Sequence, residues 1–294
     1  MNIVILGGCG YIGSYLAQVL RPHHWTDSVD LGWFGDVTSD NVKGDFRDLS
    51  QSFFDAYDVV ILVAAHSSVP MCNSDVLGAF RNNVANFVEL TRKLTRQKLI
   101  YASSSCVYVA TGERAATEEE ALCPTDSLSF TKTSIDHYIK LTGIEYYGLR
   151  FGSVNGWSPN FRPDLMINSM TKNALNGGLV RVSNGHCHRP ILGMSDLGRA
   201  VWAVIEGGDH RGIYNVSSFN GQIGQIGEAV SSFTGAPLVR DPDSFTYDFC
   251  IDASKFETTY NFKFTDTVES IVTTIKTNHH NLKDTMRKRE VSYV

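Results

Sequence analysis

The sequence predicts an α/β protein: a doubly wound parallel sheet (Rossmann) with a smaller C-terminal substrate-binding domain. Three observations predict it. Short runs of Val, Ile and Leu alternate with stretches of helical period over residues 2–151, and unbroken aliphatic runs are the mark of strands covered by helices on both faces. The first run ends in a glycine-spaced loop that opens a helix, and the second ends in an acid.

In order, the pattern gives a strand at 2–6, a helix at 11–20, and strands at 27–31 and 58–65. A helix over about 77–96, a strand at 98–103, a helix at 129–142 and a strand at 144–151 follow. Beyond Gly156 the texture changes: 157–163 is rich in turn formers, and 164–176 has helical spacing closed by Gly177-Gly178. The expected organisation is a Rossmann domain over 1–155 and a mainly substrate-binding domain over 156–294, with segments returning to the first. Residues 267–277 read as an amphipathic helix and 283–290 as a solvated polar face.

Composition narrows the function. The 294 residues are 43% hydrophobic and 19% charged, an ordinary globular balance, and 26 Lys and Arg against 31 Asp and Glu leave a net charge of −5. Neither a nucleic-acid role nor an anionic-membrane role has an electrostatic basis, so the expected partner is a small molecule. The run 59–65 is far shorter than the roughly 20 apolar residues that span a bilayer. Met1 leads directly into an aliphatic run without an export signal, and the six cysteines contain no Cys-x-x-Cys pair. A cytoplasmic location is expected. The pairs His23-His24 and His279-His280 and the His186-x-His188 spacing lack further ligands, so no metal is expected.

In the loop, Gly7 permits a tight turn, Gly10 lets backbone approach a diphosphate, and Gly13 lets the helix pack on the strand. The diphosphate would rest on the helix N-terminus, beside Tyr11 and Ile12, where the backbone N–H groups and the dipole favour negative charge. Asp30, 20 residues after Gly10 and followed by Leu31, can accept hydrogen bonds from the adenosine ribose and would repel a 2′-phosphate. No Arg or Lys lies between Asp30 and Asp40, so the cofactor reading is NAD rather than NADP.

These motifs, together with Gly44-Asp45-Phe46-Arg47-Asp48, Val63-Ala64-Ala65-His66, Asn82-Asn83-Val84, residues 101–108, Leu149-Arg150-Phe151 and 189–200, resemble the extended short-chain dehydrogenase/reductase family. This is the group of NAD-dependent nucleotide-sugar epimerases and dehydratases typified by UDP-glucose 4-epimerase. The resemblance implies that Asp45 and Phe46 hold the adenine, that Ala64-Ala65 form the strand end under the cofactor, and that Asn83 lies near the active site. It implies Ser104 as the catalytic hydroxyl, Arg189 as the diphosphate arginine, Ser153, Asp164 and Leu165 as substrate contacts, and a homodimer paired through 77–96 and 129–142.

The family's Tyr-x-x-x-Lys pair is expected on the helix after the Ser104 strand. Aligned on Ser129-Phe130-Thr131-Lys132-Thr133-Ser134, Phe130 takes the tyrosine position and Ser134 the lysine position. Phe130 cannot move a proton, and loss of a positioned base costs about 10²–10⁴ in rate. Lys132, turned roughly 200° from Phe130, and Tyr138, two turns on, are no substitutes. His66, Tyr108, Asp126 and Thr131 are then the candidate acid-base groups, with His66 able to titrate near neutrality. An introduced Tyr→Phe change would account for Phe130 but not for Ser134. The expected function is NAD-dependent modification of a nucleotide-linked sugar through a keto intermediate; the alternative is a catalytically silent NAD or nucleotide-sugar sensor.

Overall fold

The computed structural model describes residues 1–34, 41–108 and 111–280. The polar stretch 283–290 and the end of the window after Asp30 lie outside them. Strand β1 (Asn2–Leu6) leads through the glycine loop into α1 (Tyr11–Leu20), then β2 (Trp25–Asp30), β3 (Asn41–Lys43), α2 (Gln51–Phe54) and β4 (Val59–Leu62). Helix α3 (Val69–Ser74) precedes the region expected as one helix at 77–96, which is itself broken into α4 (Val76–Phe80), a π-turn at Arg81–Ala85 and α5 (Asn86–Lys93). Pro70 and the Ser68 and Asp75 side-chain caps start two of these pieces. Next come β5 (Lys98–Ser104), β6 (Ala115–Ala116), α6 (Ser127–Ile139), β7 (Tyr146–Phe151) and β8 (Ser153–Asn155).

The later chain supplies α7 (Met166–Leu175), β9 (Val180–Val182), β10 (His188–Gly193), α8 (Met194–Glu206), β11 (Gly212–Val216), β12 (Phe219–Gln222), α9 (Ile223–Thr234) and β13 (Leu238–Arg240). It closes with β14 (Cys250–Ile251), α10 (Ser254–Tyr260) and α11 (Val268–Thr277).

Among the described residues, seven strands form one sheet in the order β11-β7-β5-β4-β1-β2-β3, every pair parallel. Its central strands are aliphatic and wholly buried, and separate hydrophobic clusters cover the two faces. The order reverses between β4 and β1, and ligands of such sheets bind outside the carboxyl ends of the strands at that reversal. Strand β11, from the later half of the chain, pairs with β7 at the sheet edge. Helix α8 and the aromatic residues Phe256 and Phe264 also join the main core, while α7, α9 and α11 build a separate one around Phe161, Ile167, Ile191, Ile226 and Val272.

A buried network ties the two parts together at the glycine loop. The Tyr11 hydroxyl donates to the Gly156 carbonyl (2.7 Å) and accepts from Asn168 Nδ2 (3.1 Å), while Asn168 Oδ1 accepts from the Gly156 N–H (2.8 Å). Ser158 donates to the Tyr11 carbonyl and Asn160 Nδ2 to the Cys9 carbonyl.

Candidate active site

A crevice of about 770 Å³ opens at the sheet reversal. Its lining includes Gly7, Gly10, Tyr11, Ile12, Gly13, Asp30, Leu31, Asp45, Phe46, Ala64 and Ala65, so the structure brings together all but one of the sequence-predicted cofactor residues. Gly7 has φ +98°, and a Cβ there would sit 2.5 Å from the Ala64 nitrogen; a Cβ on Gly13 would fall 2.0 Å from the Gly7 carbonyl oxygen. Only glycine fits either position. Gly10 begins α1 without a side-chain cap, leaving the helix start to phosphate oxygens. The Asp30 carboxylate stands at the tip of β2, accepting from Cys9 N (3.0 Å) and Gly32 N (2.7 Å), which fixes it beside the loop. Asp45 caps the turn Phe46–Asp48, and its hydrogen bonds from Arg47 hold its pKa below the usual carboxylate range. A glycine cradle with an acid beside it matches the demands of a dinucleotide.

The exception is Asn83, which does not line the crevice. Its amide accepts from His66 N (2.8 Å) and donates to the His66 carbonyl (3.0 Å) and to Thr131 Oγ1 (3.1 Å). Asn83 therefore fixes the β4 end against α6, and its neighbour Asn82 reaches the crevice.

The expected Phe130 and Ser134 positions are corrected by the geometry of α6. Leu128, Thr131, Lys132, Ile135, Asp136 and Ile139 are buried, a stripe at the i, i+3, i+4 spacing of one helix face. Phe130 lies on the opposite side, 51% exposed, with its ring stacked on Phe80 (6.5 Å). Ser134 turns its hydroxyl back onto the Phe130 carbonyl. Lys132 points inward, and Nζ donates to the Ala102 carbonyl (2.6 Å) under β5, where burial lowers its pKa. The rotation separating Phe130 from Lys132 is real, but the face toward β5 belongs to Lys132. One turn before it stands Leu128, packed with Cys72 and Ala79. One turn after it Asp136 pairs with Arg150 (2.8 Å), both essentially without exposure.

Of the other acid-base candidates, Tyr108 and Thr131 are committed. The buried Tyr108 hydroxyl bridges Asn215 Oδ1 (2.8 Å) and Arg150 Nη1 (2.7 Å). Thr131 donates to the Leu128 carbonyl. Asp126 caps α6 through the N–H groups of Leu128 and Ser129. His66 is buried at the β4 end, with Asn82 Nδ2 3.2 Å from Nδ1, Asp75 Oδ2 3.8 Å from Nε2 and Trp33 edge-on at 5.7 Å. Tyr138 shares a hydrogen bond with Thr91 on the far side of α6. Ser104, at the tip of β5, caps the turn Ser105–Val107 through Cys106 N (3.3 Å) and remains partly exposed.

Among the expected substrate contacts, Asp164 lines the crevice but holds Arg162, Nε to Oδ1 at 3.0 Å. Arg162 also reaches Ser67, and with Lys172 it places positive charge on the crevice wall. No motif in the sequence reading pointed to either cation. Leu165 precedes α7 and packs toward the main core. Ser153 lies on β8, register partner of Ile191. Among the described residues Arg189 makes no carboxylate pair: its guanidinium donates to Thr246 Oγ1 and the His188 carbonyl and lies over the Tyr247 and Phe249 rings.

This site is that of a dinucleotide-dependent protein. Residues 3–217 match the model of the NAD dependent epimerase/dehydratase family, and the chain belongs to that family. NAD is its cofactor. Protein CapI of Staphylococcus aureus is 29% identical over 234 residues, 70% of each chain, and a UDP-glucose 4-epimerase of Halalkalibacterium halodurans is 25% identical over 81% of this chain and 82% of its own. The fold is shared with the UDP-glucose 4-epimerase of Thermotoga maritima with UDP-glucose (TM-score 0.86, 20% identity, covering 96% and 100%). It is shared also with the UDP-glucuronic acid 4-epimerase of Bacillus cereus in complex with UDP-glucuronic acid and NAD (TM-score 0.84, 21% identity, covering 97% and 99%).

Proposed function

We propose that the protein is an NAD-dependent enzyme acting on a nucleotide-linked sugar through a transient keto intermediate, in a working face where Leu128 and Lys132 take the helix positions of the family's tyrosine and lysine. The observation that carries the reading is the inward lysine of α6 beneath β5, one turn from a residue at the start of the same stripe. NAD supplies hydride acceptance and return. Asp30 and the glycine loop hold it, Lys132 is placed to steady its ribose, and Ser104 polarises the sugar hydroxyl. Arg162 and Lys172 meet the anionic part of the substrate. The likeness to relatives acting on UDP-sugars favours a UDP-linked substrate.

The reading extends to a homodimer. Val76, Leu77 and Phe80 on α4 and Phe130 on α6 form an exposed apolar surface that a second copy would cover. No helix among the described residues is long and apolar enough to cross a membrane. The reading includes a cytoplasmic location.

The test is to denature the purified protein and measure released NAD(H), then offer UDP-glucose and UDP-glucuronate and follow the NADH band and the products. Retained NAD and turnover are expected, with cofactor lost from Gly13→Val because its side chain collides with the Gly7 carbonyl. NAD retained without any redox change would favour the sensor. No NAD at all would overturn both.

A further inference from the structure

Leu128 gives its place on the inner face of α6 no phenol, yet a phenol from a distant part of the chain stands at the start of that helix. Segment 241–249 runs irregularly from β13 to β14. It is anchored by Asp241 on Arg181 (2.7 Å), Thr246 on Arg189, Tyr247 on Asp126, and Asp248 on the His188 N–H (2.7 Å). Tyr247 packs against the cluster of Val107, Tyr108, Ala116, Phe249 and Ile251, which includes the end of the turn that Ser104 begins, and its ring centroid is 6.0 Å from the Arg189 guanidinium. Its hydroxyl donates to Asp126 Oδ2 (2.8 Å), while Oδ1 of the same carboxylate takes the Leu128 N–H (2.8 Å). The phenol thus lies between the arginine expected at the diphosphate, the Ser104 turn and the helix end that lacks a tyrosine.

We propose that Tyr247 and Asp126 form a proton relay that replaces the missing hydroxyl of α6. The sugar hydroxyl held by Ser104 gives its proton to Tyr247 Oη as Tyr247 passes its own to Asp126 Oδ2. The electron pair of the adjacent C–H bond leaves with its hydrogen to NAD, and the carbon–oxygen double bond forms. Return of the pair and of the proton closes the cycle. The relay rests on the hydride-transfer reading above.

Burial, with a smaller contribution from Asp126, raises the phenol above the usual tyrosine range, opposed in part by a hydrogen bond with Thr125. Tyr247 therefore stays protonated near neutrality and can take a proton only by giving one up. Besides Asp126 and Thr125, the groups facing it are Cys106 from the turn after β5, Arg189 from β10 and the Phe245 ring from its own segment.

Tyr247→Phe and Asp126→Asn test the relay, since asparagine also caps a helix and keeps α6 in place. With UDP-glucose and UDP-glucuronate, Tyr247→Phe should lower kcat by about 10²–10⁴-fold, with KM and the NAD Kd changed by less than about threefold. Asp126→Asn should lower kcat too, and the double variant should be no slower than the worse single one, as expected of groups acting as a unit. Alkaline difference titration of the cofactor-free protein gives an independent readout: the phenolate signal deleted by Tyr247→Phe should emerge at lower pH in Asp126→Asn. Full turnover by Tyr247→Phe, an unmoved titration, or a parent that binds NAD and UDP-sugar without turnover would each overturn the relay and leave the cofactor reading standing. A parent that binds no NAD would remove both.

Discussion

The cofactor crevice and the inward face of α6 are built in different ways. The crevice is shaped by backbone: Gly7 and Gly13 occupy positions where any Cβ collides, and Asp30 is fixed by two N–H groups. The α6 face is shaped by which side of the helix turns inward, and a helix with three buried hydroxyl residues and a buried lysine does not announce that side. Main-chain constraints limit the sequence strongly and locally, whereas a helix face is chosen by everything packed on it.

The sharpest way to break this comparison is to move the hydroxyl. In the Tyr247→Phe background, Leu128→Tyr should restore about 10² or more of the lost turnover, the scale of a positioned proton acceptor. Phe130→Tyr with Ser134→Lys should restore nothing, because both residues face away from β5. Equal rescue by the two would show that the inner face has been assigned to the wrong residues.

Next in size is Asp136→Ala. It strands the Arg150 guanidinium, only 1% exposed, and also strips Tyr101 and Ser103 of an acceptor. Removing one partner of a buried pair costs about 3–5 kcal/mol, which denaturant unfolding would register. A loss below about 1 kcal/mol, typical of exposed pairs, would mean that water reaches this face.

The mildest effect belongs to the outer face. Leu77→Asp with Phe80→Asp should give monomers by analytical ultracentrifugation while changing monomer stability by no more than about 0.5 kcal/mol, as usual for exposed positions. An unaltered dimer would place the interface elsewhere.

Most of the fold was legible in the sequence because buried parallel strands are written as aliphatic runs: 2–6, 98–103 and 144–151 fall within two residues of β1, β5 and β7. The π-turn at Arg81–Ala85 was not, since apolar residues recur through it much as in a regular helix. Which side of α6 turns inward was hidden for a similar reason. Phe130 looks like an altered tyrosine, and only the burial of Asp136 and Lys132 shows that the stripe runs through Leu128. Tyr247 had no motif to expose it, because its meeting with Asp126 joins residues 121 apart.

The Tyr11 phenol is braced by a carbonyl 145 positions downstream. During synthesis the nucleotide-gripping loop leaves the ribosome long before its brace exists, so firm capture of NAD should be a late event in biogenesis. For the same reason, a fragment severed after residue 155 would keep the glycines yet hold the coenzyme loosely, and grafting that half onto a foreign partner would transplant a grip without its support.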